Sequence, residues 1–537
     1  MKEIKRKIAD NISEIIKEFP EEVRKKFDGR IEIARGIKEE FGDFSTNIAF
    51  KISTDNYPPF KIAQEIIERL NLDFIERAEF KNGFINFFLK KDVYLSVIKK
   101  ILKEKENYGK GNENKKVLVE FVSANPTGPL TIAHGRQASF GESLSRILEF
   151  AGYSVEKEYY INDCGKQIEL LGQSLKARYY QLKGENIEIP EEGYHGDYLI
   201  KIAEKIKGDD LSDEFFKNFA VNEILKTIKE DLDIFGVKFD RWVKESSFLN
   251  EAEKLIKFFE KKGVVYEKDG CLWFKSKDFG DDKDRVLVKS DGSYTYFLTD
   301  ILYHKNKIER GYDILINIWG PDHLGYIKRL KAAVEVLGFN PENLKIIIVQ
   351  LTTLYKGKEK IQMSTRKGQF ISLRELIDEI GPDASKFFFI FRKAESHLDF
   401  DIGIAKKRDS ENPVYYLQYA YVRLKHLLKY SEEKGIKENE IENAEISFLK
   451  EKEEIDILKK LSQFPEILEK ISSTYEIHLL CEYLLEISKL FHSYYQRVRI
   501  VGDDKKITLS RLALIKALFY VFSNSLKLLN ISLPERM

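Results

Sequence analysis

The stretch Glu120-Phe121-Val122-Ser123-Ala124-Asn125-Pro126-Thr127-Gly128-Pro129-Leu130-Thr131-Ile132-Ala133-His134-Gly135-Arg136 decides how this chain is read. It begins in an apolar run, Val117 to Val122, that predicts a buried strand. The run breaks into a Pro/Gly loop, and a helix then opens at His134-Gly135. Phe140, Leu144, Ile147 and Leu148 recur on one face of that helix. Strand, loop and helix in this order bring backbone N–H groups and the positive helix end to one point, where a phosphate can sit. A histidine in the first turn can stabilise charge that builds up on a phosphate oxygen.

Outward from this unit, strands alternate with helices from Val117 to about Ser410, the pattern of a parallel α/β sheet. Ile314-Leu315-Ile316-Asn317-Ile318-Trp319 reads as a strand and leads into Gly320-Pro321-Asp322-His323. A helix through Leu330, Ala333, Val334 and Leu337 follows, before the strand at Ile346 to Val349. Ligands of such sheets bind beyond the carboxyl ends of the strands. The His134 loop, the Asp322 loop and Asn162-Asp163 all sit at such ends, so three polar loops should converge on one rim. Residues 1–111 read as a small α/β unit, closed by the polar, glycine-containing linker Tyr108 to Lys116. Residues at about 170–285 are more helical and charged and read as an insertion within 112–411. From Asn412 to residue 537 the chain is nearly all helix.

Composition narrows the partners without naming them. At 537 residues the chain suggests roughly three or four domains. Lys+Arg 89 against Asp+Glu 88 leaves a net charge of +1, so any nucleic-acid site must be a local basic surface. Cys164, Cys271 and Cys481 have no paired spacing, which argues against a zinc site or disulfide framework and fits a reducing cytoplasm. The apolar stretch Leu512 to Leu529 contains Lys516, Asn524 and Lys527 and reads as a buried helix, not a membrane span.

The wording of the opening stretch adds more. Pro126-Thr127-Gly128-Pro129-Leu130-Thr131-Ile132-Ala133-His134-Gly135-Arg136 resembles the "HIGH" region of class I aminoacyl-tRNA synthetases in the form carried by arginyl-tRNA synthetases. Gln362-Met363-Ser364-Thr365-Arg366-Lys367-Gly368 is similar to that family's "KMSKS" loop. Tyr159 to Asp163, Gly193 to Tyr198, Ser290 to Tyr296, Asn412 to Ala420 and the closing Leu533-Pro534-Glu535-Arg536-Met537 are also family-like, in the family's order. The resemblance implies an α/β Rossmann-like catalytic core with a small N-terminal α/β domain and an all-α C-terminal domain. It further implies a tRNA contact for residues 1–111 and an anticodon-binding role for 412–537. The activity implied is attachment of L-arginine to tRNA(Arg) using ATP, with Mg²⁺ on the nucleotide. The expected enzyme is a cytoplasmic monomer with no membrane partner.

Residue by residue, the resemblance makes His134, Thr131, Lys367 and Arg366 the catalytic candidates. Lys367 is favoured over Arg366 as a point charge for the departing pyrophosphate. Pro126, Thr127, Gly128, Pro129, Leu130, Ile132, Ala133, Gly135, Arg136, Met363 and Ser364 match ATP-binding positions. Glu120, Ser123, Asn125, Tyr296 and Asp300 match positions that hold the substrate arginine. A guanidinium taken out of water needs paired carboxylates, which Glu120 and Asp300 supply. Tyr296 and Asp300 are four apart and share a helix face.

Blander readings stand beside these. His134 can be a simple capping residue, Arg366-Lys367 a solvated turn, and Asp163 or Asp322 a cap for the next helix. Tyr415, Tyr419, Tyr421, Arg423, Lys425 and His426 can stack and pair with anticodon bases, or pack in a core. Two positions depart from the family pattern: Thr131 replaces the first histidine of "HIGH", and Gln362 the first lysine of "KMSKS". They are the only support for a rival reading as a non-catalytic RNA-binding or amino-acid-sensing relative. Another class I synthetase is the nearer rival, disfavoured by Tyr296, Asp300 and the unpaired cysteines.

Overall fold

A computed structural model describes residues 1–36, 38–208, 211–357, 359–360 and 371–537. Val117, Leu118 and Val119 of strand β1 (Lys116–Glu120) are buried on both faces of a sheet. Continuous apolar runs of that kind suit parallel strands covered by helices. The chain continues through α1 (Ile132–Phe150), β2 (Ser154–Ile161), α2 (Lys166–Leu182), α3 (Asp213–Ile234) and β3 (Arg241–Lys244). It returns through α4 (Tyr296–Glu309), β4 (Ile314–Trp319), α5 (Ile327–Val336) and β5 (Leu344–Ile348). The five strands are parallel, in the order β5-β4-β1-β2-β3. The chain builds outward from β1 on one side, then crosses back to build on the other. The loops after β1 and β4 therefore diverge and leave a crevice at the carboxyl end of the sheet.

Two details differ from the sequence reading. Strand β1 stops at Glu120, short of Val122, because Val122 (φ 67°) and Ser123 (φ 39°) both adopt left-handed backbone. A β-branched residue is strained there, so the turn is held by its surroundings. The middle region is not only helical: Arg241–Lys244 pairs with Glu158–Ile161 and joins the main sheet as its edge strand. Only beyond it do Val265–Lys268, Cys271–Phe274 and Arg285–Val288 form a separate antiparallel sheet.

After β5 the chain forms β6 (Thr352–Lys356), α6 (Leu373–Ile380), α7 (Pro382–Ile390) and β7 (Leu398–Asp401). Strands β6 and β7 pair in parallel, and this small unit flanks residues 361–370 in sequence. The C-terminal region is helical as expected and includes α8 (Pro413–Glu433), α9 (His478–Arg497) and α10 (Lys505–Leu528). Helix α10 is long and apolar enough to cross a membrane, yet 78% of its apolar window is buried inside the protein. At the other end of the chain, a four-stranded antiparallel sheet packs on the helix Lys2–Lys17 through Ile8, Ile12, Ile15 and Ile16.

Candidate active site

Helix α1 starts where the left-handed turn and the Pro/Gly loop deliver it. Thr131 is its N-cap residue, and the Thr131 N–H donates to His134 Nδ1 at 3.1 Å. That bond fixes the tautomer: with Nδ1 accepting, Nε2 carries the proton. Burial pushes the imidazole down to about 4. His134 is therefore neutral at pH 7, and what it offers an anion is the Nε2–H dipole, not a positive charge. This refines the sequence reading, in which the histidine simply stabilises phosphate charge.

The loop ahead of the helix is pinned from several sides. Tyr198 donates its hydroxyl hydrogen to the Thr127 carbonyl at 2.5 Å, and the Asn125 amide donates to Gln167 Oε1 at 2.8 Å. Gln137, in the orientation that satisfies both its amide groups, donates to the Val122 carbonyl (3.3 Å) and accepts from the Gly320 N–H (3.2 Å). It thereby ties the loops after β1 and β4 together. Across the crevice, the Leu373 N–H donates to the Leu130 carbonyl at 2.8 Å, and Ser372 bridges Thr131. The His134 loop is thus joined to the residues just after 361–370. Met363, Ser364, Arg366 and Lys367 themselves lie outside the described residues.

Arg136 does not face the crevice. Its guanidinium is 1% exposed and donates to the carbonyls of Phe389, Gln350, Leu351, Lys393 and Ser396, at 2.8 to 3.4 Å. All five N–H groups are spent on backbone, which removes Arg136 from the nucleotide-binding set and makes it a strut.

On the other side of β1, acids gather. Glu120 is buried. Ser123 Oγ donates to one of its oxygens at 3.0 Å and Lys307 Nζ to the other at 2.5 Å. Lys307 also donates to Asn317 Oδ1 (3.0 Å), and the Asn317 amide meets His304 Nε2 at 2.8 Å. His304 in turn meets the Asp300 carbonyl through Nδ1 at 2.8 Å, and burial holds its imidazole neutral. Ser123 Oγ also accepts the Tyr160 N–H at 3.1 Å, joining β1 to β2. Glu120 is accordingly a paired, oriented carboxylate, not an open one.

Asp300 is the open one. Burial first, then the neighbouring Glu245 and Glu120 carboxylates, push its carboxyl up to about 8. Burial also raises Glu245, which faces Thr299, Tyr160 and Cys164. The Asn162 side-chain oxygen is buried and has no hydrogen-bond partner among the described residues. Tyr296, 52% exposed at the start of α4, closes the rim, with its hydroxyl beside Gly165. Lys307 and Arg329 pull the Asp300 carboxyl the other way but do not offset burial and the two neighbouring acids, so this acidic, shielded place suits a guanidinium able to meet two carboxylates at once. Asp300 faces Glu245 and Glu120 here, Ser123 holds Glu120 from behind, and Asn125 spends its amide on Gln167.

Asp163 follows the blander reading: it accepts from the Ser246 N–H (3.0 Å) and hydroxyl (2.8 Å) and so caps the turn 245–247. Asp322 and His323 are exposed in the short helical turn Pro321–Tyr326. Glu245, Lys307 and Asn317 escaped the sequence reading. Asn317 did leave a signal, a polar residue inside an otherwise apolar strand. Lys307 lies two helical turns from Asp300 on the same face. Glu245, in Lys244-Glu245-Ser246-Ser247, looks like any surface acid.

Comparison with known proteins agrees along the whole chain. Three family models match: "Arginyl tRNA synthetase N terminal domain" over 2–89, "tRNA synthetases class I (R), catalytic domain" over 97–388, and "DALR anticodon binding domain" over 417–537. The arginine–tRNA ligase of Syntrophotalea carbinolica is 43% identical over 517 residues, covering 93% of both chains. That of Caldanaerobacter subterraneus is 40% identical over 562 residues, covering 100% of both. Among solved structures, the Thermus thermophilus arginyl-tRNA synthetase superposes with a TM-score of 0.79 at 21% identity, over 99% of this chain and 100% of that one.

Proposed function

The chain belongs to the arginyl-tRNA synthetase family and is an arginine–tRNA ligase using ATP, and on that premise we propose how its residues divide the work. The arginine guanidinium enters between Asp300 and Glu245, with Tyr296 and Asn125 on the rim. Glu120 and Ser123 hold the amino-acid end from behind, oriented by Lys307. The observation that supports this is the shielded Asp300–Glu245 pair, whose carboxyls burial raises although the charges of Lys307 and Arg329 act on Asp300 in the other direction. An uncharged side chain would leave both acids unpaired, so rejection is built into the pocket.

The loop Pro126 to Leu130 and the first turn of α1, through Ile132, Ala133 and Gly135, take the nucleotide at a helix N-terminus. His134 donates Nε2–H to the α-phosphate as the arginine carboxylate displaces pyrophosphate in line. Lys367 and Arg366, with Met363 and Ser364 against the nucleotide, neutralise the leaving group. Thr131 contributes by capping, since its hydroxyl carries no charge. Mg²⁺ accompanies ATP on its phosphates.

Residues 1–111 contact the tRNA body, 112–411 perform the chemistry and 412–537 read the anticodon. For the last role we assign the exposed stack on α8 and α9. Tyr415 stacks on Tyr419, and Arg423 lies over the Tyr419 ring at 4.2 Å and the Tyr495 ring at 4.7 Å. Aromatic and guanidinium planes of this kind accept unstacked bases. The enzyme works as a cytoplasmic monomer, its three cysteines kept as thiols.

The test is charging of total tRNA with each of the twenty labelled amino acids, by wild type and His134→Ala. Arginine-only charging that collapses in the variant is the expected result. Charging by the variant at the wild-type rate would remove His134 from the chemistry, and charging with another amino acid would overturn the pocket assignment.

A further inference from the structure

We propose that His304 and Asn317 are positioning residues that, through the Lys307 ammonium, set the Glu120 carboxylate for the α-amino group of the substrate arginine. The proposal rests on the reading of Glu120 given above, as the acid at the amino-acid end. Asn317 on β4 stands opposite Glu120 on β1 in the parallel register, and Glu120 stands opposite Glu158 on β2. Three polar side chains therefore form a row across the sheet beneath α4. A buried polar row of this kind is tolerated only when its members satisfy one another.

The hydrogen bonds in it run one way. The Asp300 backbone carbonyl can only accept, so His304 Nδ1 carries the proton and donates to it at 2.8 Å. Nε2 of the neutral ring is then an acceptor and takes an Asn317 amide hydrogen, also at 2.8 Å. That turns the Asn317 side-chain oxygen to Lys307 Nζ at 3.0 Å. Lys307 in turn donates to Glu120 at 2.5 Å, and its ammonium lies 4.1 Å from the centre of the Tyr303 ring. Burial and the Lys307 charge keep the His304 ring neutral, as this order requires. With the amide reversed, two donors would face each other at Lys307. His304 is what makes Asn317 an acceptor there.

The neighbouring acid does not compete for the ammonium. Glu158 accepts from both terminal nitrogens of Arg310 and from the Tyr303 hydroxyl, the last at 2.7 Å. Lys307 is fully buried on a long, flexible stem, and Asn317 and the Tyr303 ring fix where its head sits. Ser123 donates to the other Glu120 oxygen, so the carboxylate is oriented from both sides. An ionised carboxylate has about four acceptor directions, which leaves two for a substrate ammonium. The relay also begins on the Asp300 main chain. The acid at the guanidinium end and the acid at the amino-acid end are thus tied to one chain of bonds.

The experiment uses the full-length enzyme as wild type, E120Q, N317L, H304L, H304Q and N317L/E120Q. Calorimetry reads the affinity for L-arginine and for its desamino analogue, 5-guanidinopentanoate, with thermal unfolding followed alongside. E120Q should weaken arginine about tenfold or more and the analogue less than about twofold, because only arginine offers the amino group. N317L and H304L should weaken arginine about three- to tenfold, again with less than about a twofold effect on the analogue. H304Q, whose amide oxygen can replace Nε2 as acceptor, should keep most of the wild-type affinity. N317L/E120Q should bind arginine no more weakly than E120Q alone. Folded N317L and H304L with wild-type arginine affinity would overturn the proposal. So would an equal loss of both ligands in them beside a selective E120Q, an H304Q as poor as H304L, or full additivity in the double variant. An E120Q that loses both ligands alike would instead overturn the placing of Glu120 at the amino-acid end, and the proposal with it. Should the leucine variants fail to fold, N317D keeps the shape of the side chain and draws Lys307 away from Glu120. The same arginine-selective loss is expected of it, and wild-type arginine affinity would overturn the proposal.

Discussion

At Asp300 the protonation state and the substrate are linked. Its carboxyl is raised to about 8 against an ordinary value near 3.8, so in the free enzyme at pH 7 it is mostly protonated. A bound guanidinium favours the carboxylate, and arginine binding at pH 7 should therefore release close to one proton. Affinity should rise as pH goes from 6 to 8 and level off above. Calorimetry in buffers of different ionisation enthalpy measures the release directly, and a buffer-independent heat would refute it. The folding sign is opposite. The free folded state holds a proton that the unfolded chain gives up above about pH 4, so this group makes the apo-protein less stable as pH rises from 4 through 8. His134, lowered to about 4, stays neutral from pH 6 to 8, so the acid limb of arginine binding belongs to the pocket carboxyls, Asp300 first. Glu245→Gln should weaken arginine by roughly 3–5 kcal/mol, the cost of breaking a buried pair on one side. ATP affinity should stay near wild type. A variant that loses both equally would place Glu245 in the scaffold instead.

At the scale of elements, α1 is positioned by glycines as much as by apolar side chains. A Cβ on Gly141 would lie 2.2 Å from the Phe121 ring, which itself packs on Phe239 at 4.4 Å between ring centres. Gly141→Ala should therefore cost about 1–3 kcal/mol of stability through overpacking and tilt α1 off the sheet. A lower denaturant midpoint with reduced kcat is expected, and an unchanged midpoint would show that the ring can move aside. Strand β1, the Pro/Gly loop and α1 were legible in the sequence because each has a local cause: an apolar run, turn residues, a period of 3.6. So were the alternation that makes the sheet and the helices of the C-terminal region. Strand β3 was not, because Arg241-Trp242-Val243-Lys244 is an edge strand of four residues with no alternation and gains its place from β2. Val122 in left-handed backbone was also hidden, since nothing local favours it. Of the candidate site, His134 stood out by position and by resemblance, and Asp300 by resemblance and its spacing from Tyr296. The inward turn of Arg136 and the partnering of Glu120 by Lys307 depend on residues far off in sequence. No local pattern encodes them.

The whole molecule is a chain of nearly balanced charge that must hold a polyanion, so the units that meet the tRNA have to be kept in fixed relation. The seam between the N-terminal unit and the helical region does this with ion pairs. Lys5 and Arg35 meet Glu466 at 3.1 and 3.0 Å, and Lys459 meets Asp43 at 2.7 Å. Glu466 is the hub. Burial works against its charge, but Arg35 and Lys5 outweigh burial and hold its carboxyl below the ordinary range. Because its side chain is 21% exposed, the hub is only partly screened by salt, unlike the open Lys2–Glu469 pair. Its contribution is present above about pH 4.5 and is lost as pH falls through the lowered folded value. Glu466→Gln would leave Lys5 and Arg35 facing each other without an anion and loosen the seam. The KM for tRNA should then rise several-fold, while arginine affinity and the KM for ATP stay unchanged, because the seam shares no residue with the Asp300 pocket or the His134 loop. Raised salt should narrow the gap between variant and wild type, since it weakens the hub pairs that only the wild type has and screens the Lys5–Arg35 repulsion in the variant. Equal effects on all three substrates would mean that the seam transmits to the crevice and would overturn a role confined to tRNA.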